Sequence, residues 1–317
     1  MNRLHMPATT RDARVWIAFV LLSAIWGSSY LFIRIGLEQL TPLSLVALRL
    51  LAASAGIGII AAARRQSLAI SWHTFGLMCV VAVVNIAIPF LLITWGEVVV
   101  PSGLTSVLNS TVPIFALLIG IAALRDEPVI WPRVAGLALG FGGVVLLVSR
   151  SLGGSAAHWL SIAGELAIVL ASVSYACNAV LSRRSLRNVP PIVTATYSVW
   201  LAGALILVAS LIFSPPHLAS MHPKTILSVL WLGVLGSALA YVLSFYILQN
   251  WPASQATLVS YMVPVVGLPL GAIVLHEAVG WRILLGSLMV IGGVVLARIG
   301  TRPQKVNVAS PTARRAG

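Results

Sequence analysis

Charged residues are scarce in this sequence of 317 residues, of which only 9% are Asp, Glu, Lys or Arg while 59% are hydrophobic. Soluble domains carry about 25% charged residues, so this chain lacks the charge that a water-exposed surface needs. The low charge excludes a soluble globular protein. The high hydrophobicity excludes an intrinsically disordered chain, which could not form a packed core.

Acidic residues and cysteines are rarer still. Seven Asp and Glu residues stand against 20 Lys and Arg residues, which gives a formal net charge of +13. Most of the basic residues lie between apolar segments, as in membrane proteins, so we expect a lipid bilayer and not a nucleic acid as partner. Only two cysteines are present, Cys79 and Cys177, and both lie inside apolar runs, which excludes a disulfide scaffold.

Long apolar segments dominate the chain, and about 20 such residues cross a bilayer as a helix. The segments lack the alternation of a membrane β-barrel, so we predict an all-α polytopic membrane protein with ten transmembrane helices. These are Val15–Ile33, Pro42–Ala63, Thr74–Gly96, Ser102–Ala123, Val134–Val148, Ile162–Ser182, Pro191–Phe213, Thr225–Gln249, Ala253–Leu275 and Val279–Ala297.

The basic residues also predict an orientation. With the N-terminus in the cytoplasm, fifteen Lys and Arg residues fall on the inside and only Arg34, Arg150, Lys224 and Arg282 on the outside, with Arg49 left within helix two. The positive-inside rule then puts both termini in the cytoplasm of a multi-pass protein of the cell membrane. We interpret the first segment as an uncleaved helix because it is as long as the nine that follow.

The two halves of the chain resemble one another. Pro101 and Pro113 recur 151 residues later as Pro252 and Pro264, and Glu127 recurs 150 residues later as Glu277. We therefore divide the chain into a cytoplasmic tail (1–14), a first repeat (15–149), a linker (150–161), a second repeat (162–298) and a disordered cytoplasmic tail (299–317). Five helices in each repeat is an odd number, so the repeats should be inverted in the membrane, as in many secondary transporters.

The sequence resembles the EamA family of the drug/metabolite transporter superfamily. The residues that carry the resemblance include Trp26-Gly27-Ser28-Ser29-Tyr30, Pro42, Arg49 and Pro113 in the first half. In the second half they include Tyr175, Arg183, Pro264, Glu277 and Gly292-Gly293. The resemblance covers about residues 15–298 and implies a ten-helix carrier, usually an exporter of amino acids or other small metabolites.

Polar and aromatic residues within the apolar segments are candidates for a substrate cavity, because such groups are costly in hydrocarbon unless they find partners or water. Each could instead serve only helix packing. Pro113 and Pro264 are expected to interrupt helices four and nine near mid-depth, and either to line the path or to act as plain kinks. The other candidates are Trp26, Tyr30, Asn85, Asn109, Tyr175, Asn178, Tyr241, Tyr246, Ser260 and Tyr261.

Arg49 and Glu165 are charged residues within the apolar segments, at similar predicted depths. We hypothesise that they form a buried pair, although Arg49 could instead reach towards the surface or meet a substrate carboxylate. Glu165 is the candidate for proton coupling, and Glu127 and Glu277 are expected to close opposite ends of the bundle as structural contacts or latches.

Enzymatic activity is not expected, because the sequence has no nucleophile motif, no Walker sequence and no metal-ligand cluster, and it points to no cofactor. We predict a secondary transporter that exports small organic metabolites by alternating access, with a cavity enclosed by helices one, three, four, six, eight and nine. A solute channel or facilitator, and a nonconducting receptor or sensor, remain alternatives. The protein could be a monomer or a homodimer.

Overall fold

A computed structural model describes residues 8–124, 130–149, 156–186, 188–251 and 258–298, and within these ranges it is helical and without strands. We number the helices α1–α10 and treat adjoining helical stretches as one helix. They are α1 (Ala8–Gly36), α2 (Pro42–Ala63), α3 (Trp72–Gly96), α4 (Ser102–Asn109 and Val112–Leu124), α5 (Trp131–Val148), α6 (Ala156–Ser185), α7 (Pro191–Phe213), α8 (Pro223–Leu230, Trp231–Leu239 and Ala240–Asn250), α9 (Val259–Val274) and α10 (Trp281–Arg298).

Eight of these helices, α1–α8, contain stretches long and apolar enough to cross a membrane, while α9 and α10 are shorter apolar helices in the described residues. The all-helical membrane class is therefore confirmed. Ten crossings and two inverted repeats stay predictions. The first helix begins at Ala8, before the predicted Val15. Residues 1–7, residues 150–155 of the linker and the tail from residue 299 lie outside the described residues, as does Glu127.

Local sequence explains where several helices begin. The hydroxyl of Thr41 accepts a hydrogen bond from the backbone N–H of Ser44 at 3.3 Å, and Pro42 opens α2. Ser71 caps α3 in the same way, through the N–H of Thr74 at 3.2 Å. A capping hydroxyl satisfies a backbone donor that the first turn leaves unpaired, and proline fits a position that needs no donor.

Three helices depart from regular α geometry near their middle. A π-helical stretch occupies Ala82–Ala87 in α3, and another occupies Trp231–Leu239 in α8. The starts of the two stretches are 149 residues apart, which matches the displacement of the sequence repeat. Helix α4 is interrupted between Asn109 and Val112, just before Pro113. Such irregular turns expose backbone groups and concentrate at functional positions.

Helices α5 and α10 pack against each other through glycine. A Cβ built on Gly136 would lie 2.5 Å from the carbonyl oxygen of Gly293, and one built on Gly293 would lie 2.6 Å from that of Gly136. No real side chain tolerates such contacts, so the missing side chains allow the two backbones to touch. The GxxxG spacing of Gly136 and Gly140 thus serves a contact within the chain. A large apolar core lies mainly between α2, α3 and α7, where Leu50, Ile57 and Ile86 are fully buried.

The contact between α5 and α10 predicts the effect of a single methyl group. We expect Gly293→Ala to lower the melting temperature of the detergent-solubilised protein, because overpacking a close backbone contact costs about 1–3 kcal/mol. The matched control is Gly292→Ala, since a Cβ at that adjacent position would meet nothing closer than a Leu139 methyl at 3.8 Å. Equal melting temperatures for the two variants would contradict the predicted role of Gly293.

Candidate functional site

A cavity of about 600 Å³ lies in the centre of the bundle. Side chains from α1–α4 and α6–α9 line it, so α2 and α7 contribute in addition to the six helices predicted from the sequence. Helices α5 and α10, which pack against each other, contribute none of its lining. The volume suits a small organic molecule with an apolar body and a few polar groups.

Most of the candidate residues meet at this cavity, and a smaller group does not. Those that line the cavity are Trp26, Tyr30, Arg49, Asn85, Asn109, Tyr175, Asn178, Tyr241 and Ser260. Those that are not part of its lining are Pro113, Glu165, Tyr246, Tyr261 and Pro264.

Arg49 is the charged side chain among the lining residues, and it is only 7% exposed. Its guanidinium carbon lies 3.9 Å from the centroid of the Phe90 ring, and its Nε donates to the Ser237 hydroxyl at 3.3 Å. Stacking on the negative face of an aromatic ring partly replaces the water that the cation loses on burial. The contacts hold Arg49 at the cavity wall.

Arg49 and Glu165 are not brought together as a pair. The contacts of Arg49 are with Phe90 and Ser237, whereas Glu165 is buried in α6 away from the cavity lining. Similar depth along two helices is not sufficient for contact, because the helices must also turn the two side chains towards each other.

A first hydrogen-bonded group joins α1, α4 and α6. Asn109 donates through Nδ2 to the Tyr30 hydroxyl at 2.7 Å, and the Ser172 hydroxyl donates to Asn109 Oδ1 at 3.3 Å. Asn109 is the last residue before the interruption of α4, and regular helical structure resumes at Val112. The amide therefore bonds across helices and lines the cavity at the same time.

A second hydrogen-bonded group joins α3 and α6. Asn178 donates through Nδ2 to Asn85 Oδ1 at 2.9 Å, and the Ser182 hydroxyl donates to Asn178 Oδ1 at 3.2 Å. Asn85 belongs to the π-helical stretch of α3, and Asn178 is four residues before Ser182 on α6. Because these amides satisfy one another, the cavity keeps a polar surface without leaving donors buried and unpaired.

Corresponding positions of the two sequence halves line the cavity together. Trp26 and Tyr175 are 149 residues apart, as are Arg49 and Ser198, while Asn109 and Ser260 are 151 apart, and all six are lining residues. The two halves therefore contribute equivalent positions to the lining of one cavity. They differ in charge, because a serine occupies the position of Arg49 in the second half.

The two prolines and the candidate tyrosines Tyr246 and Tyr261 are not part of the cavity lining. Helix α4 is broken just before Pro113, as predicted, but Pro264 lies inside the unbroken stretch Val259–Val274, so the expected interruption of α9 there is wrong. The preceding residues of the two prolines, Val112 and Val263, do line the cavity. Tyr261 packs with Ile114 and Val294, and Tyr246 packs among apolar residues of α1 and α8.

One end of the bundle carries two carboxyl groups in different settings. Glu277 accepts hydrogen bonds from the backbone N–H groups of Ser102 at 2.7 Å and Gly103 at 2.9 Å, so it caps the first turn of α4 and ties α9 to it. This contact agrees with the structural closure predicted for Glu277. Gly271 packs against the same contact, because a Cβ at this position would collide with the Glu277 carboxylate and would lie 3.0 Å from the backbone N of Gly103. We call this the Glu277 end.

Sequence reasoning missed Glu97, which lies at the same end and is 0% exposed. It follows directly on Gly96, the last residue of the third span. An acidic residue that adjoins a long apolar run, in a chain with only seven acidic residues, was the available signal.

Comparisons with known proteins agree with this architecture. Residues 14–149 and 162–299 match the sequence model of the EamA-like transporter family. A crystal structure with 21% sequence identity superimposes with a TM-score of 0.64 over 90% of this chain and 97% of that chain, which supports the fold.

Three curated relatives span almost the whole chain. An uncharacterized transporter of Bacillus subtilis (strain 168), YoaV, is 25% identical over 89% of this chain and 96% of its own. A "probable amino-acid metabolite efflux pump" of Salmonella typhimurium is 26% identical over 90% of this chain and 95% of its own. A "probable terminal-alkyne amino-acid exporter" of Streptantibioticus cattleyicolor is 27% identical over 95% and 98%. The protein is thus a multi-pass membrane transporter and belongs to the EamA-like transporter family.

Proposed function

We propose that this transporter exports small amino-acid-like metabolites by alternating access and binds them in the central cavity. The observation that carries the proposal is a single buried cation, Arg49, in a cavity walled by aromatic rings and amides. Its support from relatives is that two of them are named for the export of amino acids or their metabolites.

The chemistry of the lining favours a solute with one carboxylate and an apolar part. A guanidinium offers planar N–H donors that match a carboxylate, and in an apolar setting such a pair is stronger than in water. The rings of Trp26, Tyr30, Tyr175 and Tyr241 offer faces to an apolar side chain or to an ammonium group. Asn85, Asn109 and Asn178 add acceptors and donors for the remaining polar atoms.

The shape of the cavity supports a state that is open towards the cytoplasm. Its lining extends to Leu186, Val189 and Pro191, where α6 passes into α7. Arg183 and Arg184 precede this connection in the sequence, and the positive-inside rule places them in the cytoplasm. The opposite end is closed by the contact of Glu277 with α4. Ten crossings in two inverted repeats would allow the reverse state by an equivalent movement.

A metabolite profile of the medium, compared between cells with and without overexpression, tests direction and substrate class together. We expect one or a few amino acids or derivatives to accumulate outside the overexpressing cells. Purified protein in liposomes, loaded with unlabelled and supplied with labelled phenylalanine, leucine or threonine, should show saturable counterflow. Flux that is linear in concentration and insensitive to trans solute would indicate a facilitator or channel instead.

Arg49 provides a specific test of the binding site. We expect Arg49→Gln to raise the half-saturating concentration for counterflow by about ten- to hundredfold, because a hydrogen bond to a charged group contributes about 1.5–3 kcal/mol. Arg49→Lys should recover part of the loss, since it keeps the charge without the planar donors. The matched control is Arg64→Gln, which removes an exposed cation at the end of the same helix. A half-saturating concentration that Arg49→Gln leaves unchanged would remove Arg49 from the site.

Inversion of the repeats predicts the sidedness of two equivalent loops. The exposed Ser67 lies between α2 and α3, and the exposed Ser220 lies between α7 and α8. In a background with Cys79→Ser and Cys177→Ser, we expect Ser67→Cys to react with an impermeant maleimide only from the cytoplasmic side and Ser220→Cys only from the outside. Reaction of both cysteines from one side would contradict inverted repeats and, with them, the alternating-access proposal.

A further inference from the structure

Glu97 is a buried acid that the cavity does not use. Its side chain is 0% exposed, and neither carboxyl oxygen has a hydrogen-bond partner in the described residues. A carboxylate in such a place would be strongly destabilised, because it loses its hydration and receives no donor in return. The neutral, protonated carboxyl avoids most of that cost.

The neighbouring Arg34 does not donate a hydrogen bond to the carboxyl group of Glu97. Arg34 donates through Nη1 to the backbone carbonyl of Glu97 at 2.5 Å and to that of Val98 at 3.0 Å. The guanidinium therefore binds the two backbone carbonyls that directly follow α3, near the negative end of the helix dipole, while the carboxyl group has no hydrogen-bond partner within the described residues.

Charged and titratable groups face Glu97 from each neighbouring helix. Arg34 and Tyr30 come from α1, Arg49 from α2 and Glu277 from the end of α9. Glu165 follows Gly164 on α6, and Gly164 packs on Gly96 and Val100 on either side of Glu97. Burial raises the pKa of Glu97, which lies beyond the third span, well above its usual value, Glu277 raises it further, and Arg34 and Arg49 oppose the rise.

Glu97 also adjoins the wall of the cavity. Ile93 lies one helical turn before it, Ile33 precedes Arg34, and both isoleucines line the cavity. On the other side, Glu277 holds the beginning of α4 through Ser102 and Gly103. The two carboxyl groups thus differ in their surroundings, since Glu277 accepts hydrogen bonds from backbone N–H groups whereas Glu97 accepts none within the described residues.

We propose that Glu97 is a proton-binding site that controls the opening of the Glu277 end. In the closed arrangement Glu97 holds a proton. When this end separates and admits water, the carboxyl group is hydrated and releases that proton to the solution, and closing takes one proton up again. The closed state binds the proton more tightly than the open state, so a higher pH shifts the population towards the open end. In the proposed exporter, whose function this inference presupposes, the opening to the outside would then depend on the pH of the outside solution.

Infrared spectroscopy of the purified protein tests whether the proton is present. We expect the wild type near neutral pH to show the C=O band of a protonated carboxyl group, and Glu97→Gln to remove that band. Glu38→Gln is the matched control, because Glu38 is exposed and paired with Lys224, and it should leave the band unchanged. Loss of the band in the control, its persistence in Glu97→Gln, or its absence from the wild type would overturn the proposal.

If Glu97→Gln does not fold, the infrared band can still be assigned by elimination, because the chain has few acidic residues. The chain has only seven, so neutral variants of the other six can be compared one by one. A band that persists in all six belongs to Glu97, whereas a band that disappears with Glu165→Gln or Glu277→Gln contradicts the assignment.

Distance measurements test the link to opening. Spin labels on Val98→Cys and Ala278→Cys, both exposed positions, would report the separation across the Glu277 end in a background with Cys79→Ser and Cys177→Ser. We expect the wild-type distance distribution to shift to longer distances as pH rises, and the Glu97→Gln distribution to stay the same at every pH. A pH-dependent shift that survives in Glu97→Gln, or its absence from the wild type, overturns the proposal. Neither experiment uses a transported solute, so failure here is separate from failure of the counterflow experiment.

Discussion

Burial of a guanidinium inside an apolar bundle is the constraint around which this structure is arranged. Arg49 loses most of its hydration, so other groups must take the place of water. Phe90 supplies an aromatic face and Ser237 a hydroxyl. Small residues bring α8 close enough for this, since a Cβ on Gly233 would collide with the backbone oxygen of Arg49. The cation is thereby held at a cavity wall instead of reaching the surface.

The amide side chains of the cavity also replace lost hydration, in their case by hydrogen bonds between helices. Asn85 and Asn178 bond to each other across α3 and α6, and Asn109 bonds to Tyr30 across α1 and α4. Each bond satisfies groups that would be costly in hydrocarbon and also fixes the orientation of the amide. Packing and substrate recognition are therefore not competing interpretations of these residues, because the bonds that join the helices also prepare the polar surface of the cavity.

The candidate site could be predicted to a large extent, and its errors have one geometric origin. Asn109 and Tyr175 were recognisable because polar and aromatic groups in the middle of an apolar span need a partner or a cavity. The expected pairing of Arg49 with Glu165 was based only on their similar depth in the membrane. Depth alone does not say which direction each side chain points in. Rotation of each helix about its axis depends on packing, and it directs Arg49 to Phe90 while Glu165 is not part of the lining. Pro264 shows the same limit, since neighbouring helices decide whether a proline breaks a helix or only bends it.

Composition and continuous apolar runs by themselves determined the class of the protein and the approximate positions of its helices, because hydrocarbon accepts helices of a narrow range of length and polarity. The family resemblance came from specific residues such as Trp26–Tyr30 and Glu277. The displacement of about 150 residues between matching positions also belongs to the sequence. Only the tertiary structure decided which of two acids has hydrogen-bond donors. Glu277 accepts hydrogen bonds from backbone N–H groups of α4, whereas Glu97, directly after the third span, has no such partner in the part of the chain that the structure describes. The desolvation of a carboxyl group depends on all the residues that surround it in three dimensions, and the linear sequence does not specify those neighbours.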